Sequence, residues 1–199
     1  MQGEIKLFEL DQQQNREFNV QTSRRRFLQV GLGATATLAM PSAFANLLTQ
    51  PERQLSLLNL HTGESLNATY WAEGQYQKSE LHAINRVLRD HRTGDMHSMD
   101  NSLIDLLNIL HHQMDSNHAF HVISGYRSPK TNADLRKNSS GVAKKSLHMQ
   151  GKAIDIRLPG RKLSDLRKAA LDLNLGGVGY YSKSDFLHLD TGSVRQWGG

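Results

Sequence analysis

Hydrophobic residues recur with regular spacing through most of the chain beyond residue 50. Leucine, isoleucine and valine occur every three or four positions in residues 79–92 and 103–114, which predicts two amphipathic helices. Short apolar runs that end at glycine or polar residues predict strands. The predicted strands span residues 55–60, 66–71, 120–124, 153–156, 178–181 and 186–189, and two shorter helices are predicted over residues 130–137 and 164–173.

The order of these elements indicates the fold class. The two longer helices precede a carboxyl-terminal half in which most of the predicted elements are strands. Runs of helices followed by runs of strands are typical of α+β proteins. The sequence therefore predicts an α+β fold, with a small, mostly antiparallel sheet and flanking helices.

The amino-terminal segment has a different pattern, which predicts an export signal. A run of arginines at residues 24–26 precedes an uncharged, moderately apolar stretch over residues 30–45 that ends in an A-x-A site. This order is typical of a cleavable signal, and the pair of arginines within S-R-R-x-F-L resembles the twin-arginine signal. We predict a signal over residues 1–45, cleaved after Ala45, and one domain over residues 46–199.

The predicted signal also defines an expected location and a partner. A twin-arginine signal implies passage through the twin-arginine translocase and delivery to the periplasm. The uncharged stretch over residues 30–45 is too short to predict a permanent membrane span.

Composition and charge narrow the range of functions. The chain has 199 residues, no cysteine and a formal net charge of +5. The absence of cysteine excludes disulfide frameworks and cysteine-ligated zinc or iron–sulfur sites. The positive charge favours an anionic partner without choosing among nucleic acid, a membrane and a cell-wall polymer, and the export signal argues against nucleic acid.

Two segments carry the strongest chemical signal. S-L-H-M-Q-G-K-A-I-D contains His148 and Asp155, and F-L-H-L-D contains His188. Two imidazoles and one carboxylate from neighbouring strands can converge on one ion, which leaves a fourth position for water in a catalytic zinc site. Alternatively, these residues are surface or hydrogen-bonded core groups, since the chain has ten histidines.

These segments resemble the zinc peptidases that include the D-alanyl-D-alanine carboxypeptidases and share the fold of the hedgehog signalling domain. Further blocks at residues 59–65, 123–128, 141–146 and 176–181 resemble the murein endopeptidase K family. The resemblance implies a zinc-dependent endopeptidase, with one Zn²⁺ per chain, that hydrolyses peptide crosslinks in peptidoglycan. It also implies that the bond between two diaminopimelate residues is the preferred one.

The same resemblance implies roles for individual residues. His148, Asp155 and His188 match the metal ligands. Arg127, in the S-G-Y-R-S block, matches an arginine that stabilises an oxyanion or holds a substrate carboxylate. Asp185, three residues before the last histidine, matches the position of a general base.

The remaining candidates concern hydrogen bonding and substrate contact. Asp190 is the rival base, or it orients a ligand histidine. Ser124 and Ser146 are candidate groups that hydrogen-bond the substrate or the ligands. Tyr180 and Tyr181 are candidates for the floor of a substrate groove, although strand alternation turns one of the two into the core.

Two alternatives to the endopeptidase remain at this point. A carboxypeptidase that removes a terminal D-amino acid from wall peptides would use the same metal centre. A non-catalytic module that binds the wall or a metal is the other alternative, since hedgehog-type domains can bind without evident turnover. Release of fragments from crosslinked dimers, compared with uncrosslinked monomers, separates all three.

Replacing Arg24 and Arg25 together by lysine should block export, because the translocase reads the arginine pair. We expect the uncleaved precursor to accumulate in the cytoplasm, as measured by fractionation and immunoblotting. Normal accumulation of the processed double variant outside the cytoplasm would show that another route is used.

Overall fold

A mixed sheet forms the centre of the described part of the protein. The computed structural model describes residues 47–198 except for residues 48 and 140, so the predicted signal lies outside the described residues. Within that part the sheet has eight strands in the order β3-β2-β1-β4-β5-β7-β6-β8. The strands are β1 (Arg53–Asn59), β2 (Ser65–Ala72), β3 (Gln75–Tyr76), β4 (Phe120–Ser124), β5 (Ala153–Arg157), β6 (Gly177–Tyr181), β7 (Phe186–Asp190) and β8 (Arg195–Trp197).

Most neighbouring strands are antiparallel, and the predicted α+β class with a mostly antiparallel sheet is confirmed. Only β1 with β4 and β6 with β8 run parallel among the described strands. The sheet is larger than predicted because it includes the edge strands β3 and β8. These strands have two and three residues, which is too short for an alternating hydrophobic pattern.

Four α-helices accompany the sheet in the described residues: α1 (Lys78–Val87), α2 (Asn101–Gln113), α3 (Pro129–Asn138) and α4 (Leu163–Leu173). The Asp100 side chain caps α2 by accepting a hydrogen bond of 2.9 Å from the Ser102 amide. No helix in this part of the chain is long and apolar enough to cross a membrane.

The two faces of the sheet differ in chemistry. On one face, alternate apolar residues of the strands pack against α1, α2 and α4 in one buried cluster. Ile154 and Ile156 of β5 and Leu187 and Leu189 of β7 belong to this cluster. Because side chains alternate along a strand, Asp155 and the residues that pair with it occupy the opposite face.

The segment that follows β4 is fixed by residues at the end of α1. Helix α1 ends at Val87 rather than at the predicted residue 92, and the buried Asp90 accepts hydrogen bonds from the amides of Arg92 (2.9 Å) and Ser128 (2.8 Å). A Cβ at Gly125 would collide with the Leu88 backbone, so only glycine fits there. The turn that carries Arg127 is therefore held in place.

Acidification should destabilise the protein through Asp90. Burial raises the pKa of this carboxyl, but hydrogen bonds from Thr131, Ser128 and Arg92 outweigh burial and hold that pKa well below its usual range. A carboxyl whose pKa is lower in the folded state stabilises the fold above its unfolded pKa of about 3.9, and this contribution is lost as the pH falls.

We therefore expect Asp90→Asn to be about 1–3 kcal/mol less stable than wild type at neutral pH. The difference in free energy of unfolding between the two proteins should shrink between about pH 5 and pH 2.5. Urea unfolding of both proteins across this pH range measures this difference in free energy of unfolding. A constant difference would contradict the assigned pKa shift.

Candidate metal centre

The polar face of the sheet brings two of the predicted residues together. Asp155 of β5 and His188 of β7 are register partners in an antiparallel pair, so their side chains lie next to each other. Asp190 follows His188 by two residues and lies on the same face. The register of the two strands therefore determines this part of the site.

His148 lies on a single turn of 3₁₀ helix, Leu147–Gln150, which precedes β5. The turn ends at Gly151, whose φ of +66° is left-handed. A Cβ at Gly151 would also collide with the Ser98 carbonyl, so glycine is needed twice over. This turn holds the buried His148 ring against the face that carries Asp155 and His188.

The three side chains present one donor atom each to a common point. His148 Nε2 lies 3.2 Å from His188 Nδ1 and 3.3 Å from Asp155 Oδ1. His188 Nδ1 lies 2.8 Å from Asp155 Oδ1. Tetrahedral zinc with bonds of about 2.0–2.1 Å separates its donor atoms by roughly 3.3–3.4 Å. The donor set therefore has the chemistry, and nearly the spacing, of three zinc ligands.

The second nitrogen of each ring fixes which atom faces the cluster. His148 Nδ1 lies 2.8 Å from the Gly125 carbonyl oxygen, and His188 Nε2 lies 3.0 Å from Asp190 Oδ2. Both partners only accept hydrogen bonds, so these nitrogens donate. In a neutral ring the other nitrogen then carries a lone pair, which is directed at the common point.

Asp190 is itself fully buried and extensively hydrogen-bonded. Arg195 forms a bidentate pair with it, at 3.0 Å to Oδ1 and 2.6 Å to Oδ2. The amides of Gly177 and Gly192 donate to Oδ1 at 3.2 and 2.9 Å. The structure thus places Asp190 behind His188, where it orients the ring.

Two residues of β8 support the site and were missed by the sequence analysis. Arg195 neutralises Asp190, and the Trp197 ring lies 5.2 Å from the His188 ring, centroid to centroid. A Cβ at Gly179 would come within 2.5 Å of the Trp197 ring, so glycine lets the indole lie on β6. The available signal was an arginine and a tryptophan following a glycine-containing turn after Asp190.

Electrostatics favour a cation at the cluster. Burial raises the pKa of the Asp155 carboxyl, but His148 and His188 outweigh burial, so that the pKa lies well below its usual range. Burial lowers the pKa of His188, but the hydrogen bonds and negative charges of Asp155 and Asp190 raise this pKa by more than burial lowers it. The net shift is therefore upward. Two ionised carboxylates beside two imidazoles attract a proton or a metal ion.

Arg127 and Ser124 flank the cluster. Arg127 Nη2 lies 3.7 Å from Asp155 Oδ2 and 3.5 Å from Ser124 Oγ. The Arg127 Nε atom is buried without a hydrogen-bond partner. The Arg127 guanidinium therefore does not use all of its hydrogen-bond donors within the protein.

Ser146 is also buried and precedes the turn that carries His148.

A cavity of about 490 Å³ opens over the cluster. Arg127 and Ser146 lie in its wall with the three clustered residues, and Lys145 and Arg195 add positive charge. Tyr181, Phe186 and Trp197 form an aromatic side of the same cavity.

Two predicted residues lie elsewhere. The Tyr180 side chain packs against the hydrophobic core, with the Arg167 guanidinium 4.9 Å from its ring centroid. Contrary to the prediction of a substrate contact, Tyr180 does not line the cavity, because strand alternation turns Tyr180 toward the helices and Tyr181 toward the cavity. Asp185 does not line this cavity, and its carboxylate is 62% exposed and 3.1 Å from Arg157.

Comparisons with known proteins identify the family of this chain. Residues 48–197 match a peptidase family described as peptidoglycan L,D-endopeptidase MepK. The peptidoglycan L,D-endopeptidase MepK of Escherichia coli (strain K12) is 44% identical over 176 residues, which cover 88% of this chain and 97% of that protein. The probable peptidoglycan L,D-endopeptidase MepK of Haemophilus influenzae is 38% identical over 182 residues, covering 90% and 98%.

These matches extend over nearly the whole described part of the chain and include the cluster and its supporting residues. The protein is therefore a peptidase. It belongs to the peptidoglycan L,D-endopeptidase MepK family, and the resemblance predicted from the sequence is confirmed.

Proposed function

We propose that this protein is a zinc-dependent endopeptidase that hydrolyses peptide crosslinks in peptidoglycan during growth or remodelling of the wall. The observation that carries the proposal is the triangle of donor atoms from His148, Asp155 and His188, with edges of 2.8–3.3 Å. The names of the relatives support the substrate, and we propose the bond between two diaminopimelate residues as the preferred one.

One Zn²⁺ per chain is the proposed cofactor, with the three donor atoms as its protein ligands. When bound, zinc acidifies a water molecule and polarises the carbonyl of the bond to be cut. Asp190 and the Gly125 carbonyl hold the two histidine rings in the orientation that the ion needs. His111 bonds the His118 carbonyl instead and has no part in the site.

Arg127 is proposed to act on the substrate rather than on the ion. Burial lowers the pKa of this guanidinium and Asp155 opposes the shift, and an arginine nevertheless keeps its charge at neutral pH. The guanidinium lines the cavity beside Asp155, a position that suits the developing oxyanion or a substrate carboxylate. Lys145 and Arg195 add charge that attracts anionic wall peptides.

The aromatic side of the cavity suits the apolar part of a peptide. The Tyr181 and Phe186 rings stack at 4.5 Å, and Trp197 Nε1 donates a 2.9 Å hydrogen bond to the Tyr181 hydroxyl. These contacts fix the rings in place beside the site.

The position of Asp185 does not support its predicted role as the general base, because Asp185 does not line the cavity over the metal centre. Asp190 is not free to act as the base either, since Arg195, His188 and two amides occupy its oxygens. We therefore leave both carboxylates out of the proton transfer and assign Asp190 to the orientation of His188.

We further propose that residues 1–45 direct export by the twin-arginine pathway and that the domain over residues 46–199 works in the periplasm. Peptidoglycan as substrate supports this location, since the wall lies outside the cytoplasm. We also propose a hedgehog-type fold, which the α+β class and the mostly antiparallel sheet support.

Digestion of purified murein tests the function directly. The zinc-loaded protein should release fragments from crosslinked dimers and leave uncrosslinked monomers intact, as measured by mass spectrometry of the products. Shortening of monomers by one terminal residue would instead indicate a carboxypeptidase. No product under any metal condition would indicate a binding module.

Substitutions should separate residues that hold zinc from residues that act on the substrate. His188→Ala should remove about one zinc per chain and abolish hydrolysis, because two remaining ligands hold a catalytic ion poorly. Arg127→Ala should keep its zinc and lose roughly 100-fold in rate, as expected for a lost oxyanion donor. Elemental analysis and rates on the same preparations measure both effects.

Two controls make the comparison specific. His111→Ala removes a histidine outside the site and should change neither zinc content nor rate. Arg127→Lys keeps the charge but loses the planar fork, so it should recover only part of the rate. Full activity of Arg127→Ala would remove this residue from the proposal, and an unchanged zinc content in His188→Ala would remove the proposed ligand set.

A further inference from the structure

A second cavity of about 260 Å³ lies on the sheet next to the candidate metal centre. Its polar lining consists of His121 on β4, Arg157 on β5, Arg161 and Asp185. No part of the proposed catalytic chemistry uses these residues.

The second cavity lies on the same face of the sheet as the metal centre, displaced along the strand direction. Arg157 follows Asp155 by two residues on β5, so the two side chains lie on the same face about 6.6 Å apart along the strand. His121 is the register partner of Arg157 and belongs to the same face. An extended peptide advances by about 3.3 Å per residue, so Arg157 lies about two residues from the metal centre.

The second cavity carries an excess of positive charge. Two guanidiniums, of Arg157 and Arg161, and one carboxylate, of Asp185, line it. The Arg157 side chain is 40% exposed, and Asp185 takes only one 3.1 Å hydrogen bond from its Nη1. Four of the five guanidinium N–H groups are therefore free to donate.

The neighbouring groups fix the position of the Arg161 charge and leave His121 neutral. Arg161 donates from Nε to the Met114 carbonyl at 2.6 Å and from Nη2 to the Asp115 carbonyl, which holds its guanidinium in place. The Nδ1 atom of His121 is buried without a hydrogen-bond partner. Burial and the nearby Arg157 lower the pKa of His121, so its ring is neutral at pH 7.

We propose that this second cavity is a subsite for a free carboxylate of the wall peptide, held by Arg157 about two residues from the bond that is cut. Asp185 is then the positioning residue for Arg157. The proposal rests on the proposed function for the identity of the substrate. A peptide carboxylate suits the site because a guanidinium binds it through two parallel hydrogen bonds.

The role of Asp185 follows from the same geometry. Its backbone is left-handed, with a φ of 51°, and its carboxylate points to Arg157 rather than into the cavity above the metal centre. A carboxylate paired with an arginine holds the guanidinium in one orientation. The pair therefore restricts Arg157 to the direction in which a ligand carboxylate approaches along β5.

Binding of synthetic crosslinked peptides tests the subsite. One peptide carries all its free carboxylates, and in a series of others one carboxylate at a time is a carboxamide. Equilibrium binding to the full chain is measured with a chelator present, so that no peptide is cut. We expect Arg157→Gln to weaken binding of the acidic peptide about five- to tenfold.

The amide series identifies the contact. One carboxamide peptide should bind wild type about five- to tenfold more weakly than the acidic peptide does. The same carboxamide peptide and the acidic peptide should bind Arg157→Gln equally well. Lys168→Gln is the matched control, because Lys168 forms a single 3.2 Å pair with Asp172 on α4 and its loss should leave binding unchanged. Unchanged binding by Arg157→Gln, or an equal loss for every carboxamide, would overturn the subsite.

The kinetics of zinc-loaded Asp185→Asn test the positioning role. We expect KM for the acidic peptide to rise about two- to threefold while kcat stays unchanged, since the pair is exposed and only orients Arg157. A large fall in kcat would overturn this role and make Asp185 a catalytic residue. Failure of the proposed function would appear separately, as absence of hydrolysis by wild type with its peptide binding intact.

Discussion

The buried charge of Asp190 is the constraint on which the rest of the site depends. This side chain has no exposed surface, and an ionised carboxylate in such a place is stable only when it is paired and hydrogen-bonded. Arg195, His188 and the amides of Gly177 and Gly192 meet that need. The same bonds orient the His188 ring and fasten β8 to the sheet, so the stability of this edge and the geometry of the centre have one cause.

The sheet register turns this local arrangement into a three-residue centre. Asp155 and His188 are neighbours because β5 and β7 pair without a shift over the strand. His148 reaches them only because Gly151 permits the turn that ends its 3₁₀ helix. A slip of one residue in either strand would move its side chain to the opposite face, so helix packing on the apolar face protects the register.

Much of this arrangement was predictable from the sequence, since apolar periodicity identifies the longer elements and separates the two faces of the sheet. The grouping of His148 with Asp155 and His188 was predicted too, although spacing alone left it undecided. The contribution of β8 to the site was not predictable, because a three-residue edge strand has no periodic pattern. The positions of Tyr180 and Asp185 depend on strand alternation and on a left-handed turn, which local sequence does not determine.

The central claim is that His148, Asp155 and His188 together bind one zinc ion. X-ray absorption at the zinc edge on the purified protein tests it most directly, because the spectrum reports the ligands of the ion itself. The predicted spectrum contains two imidazoles and light oxygen ligands at about 2.0–2.2 Å in four-coordinate geometry. A purified protein that neither contains nor takes up zinc, or a bound zinc whose spectrum lacks imidazole, would contradict the account.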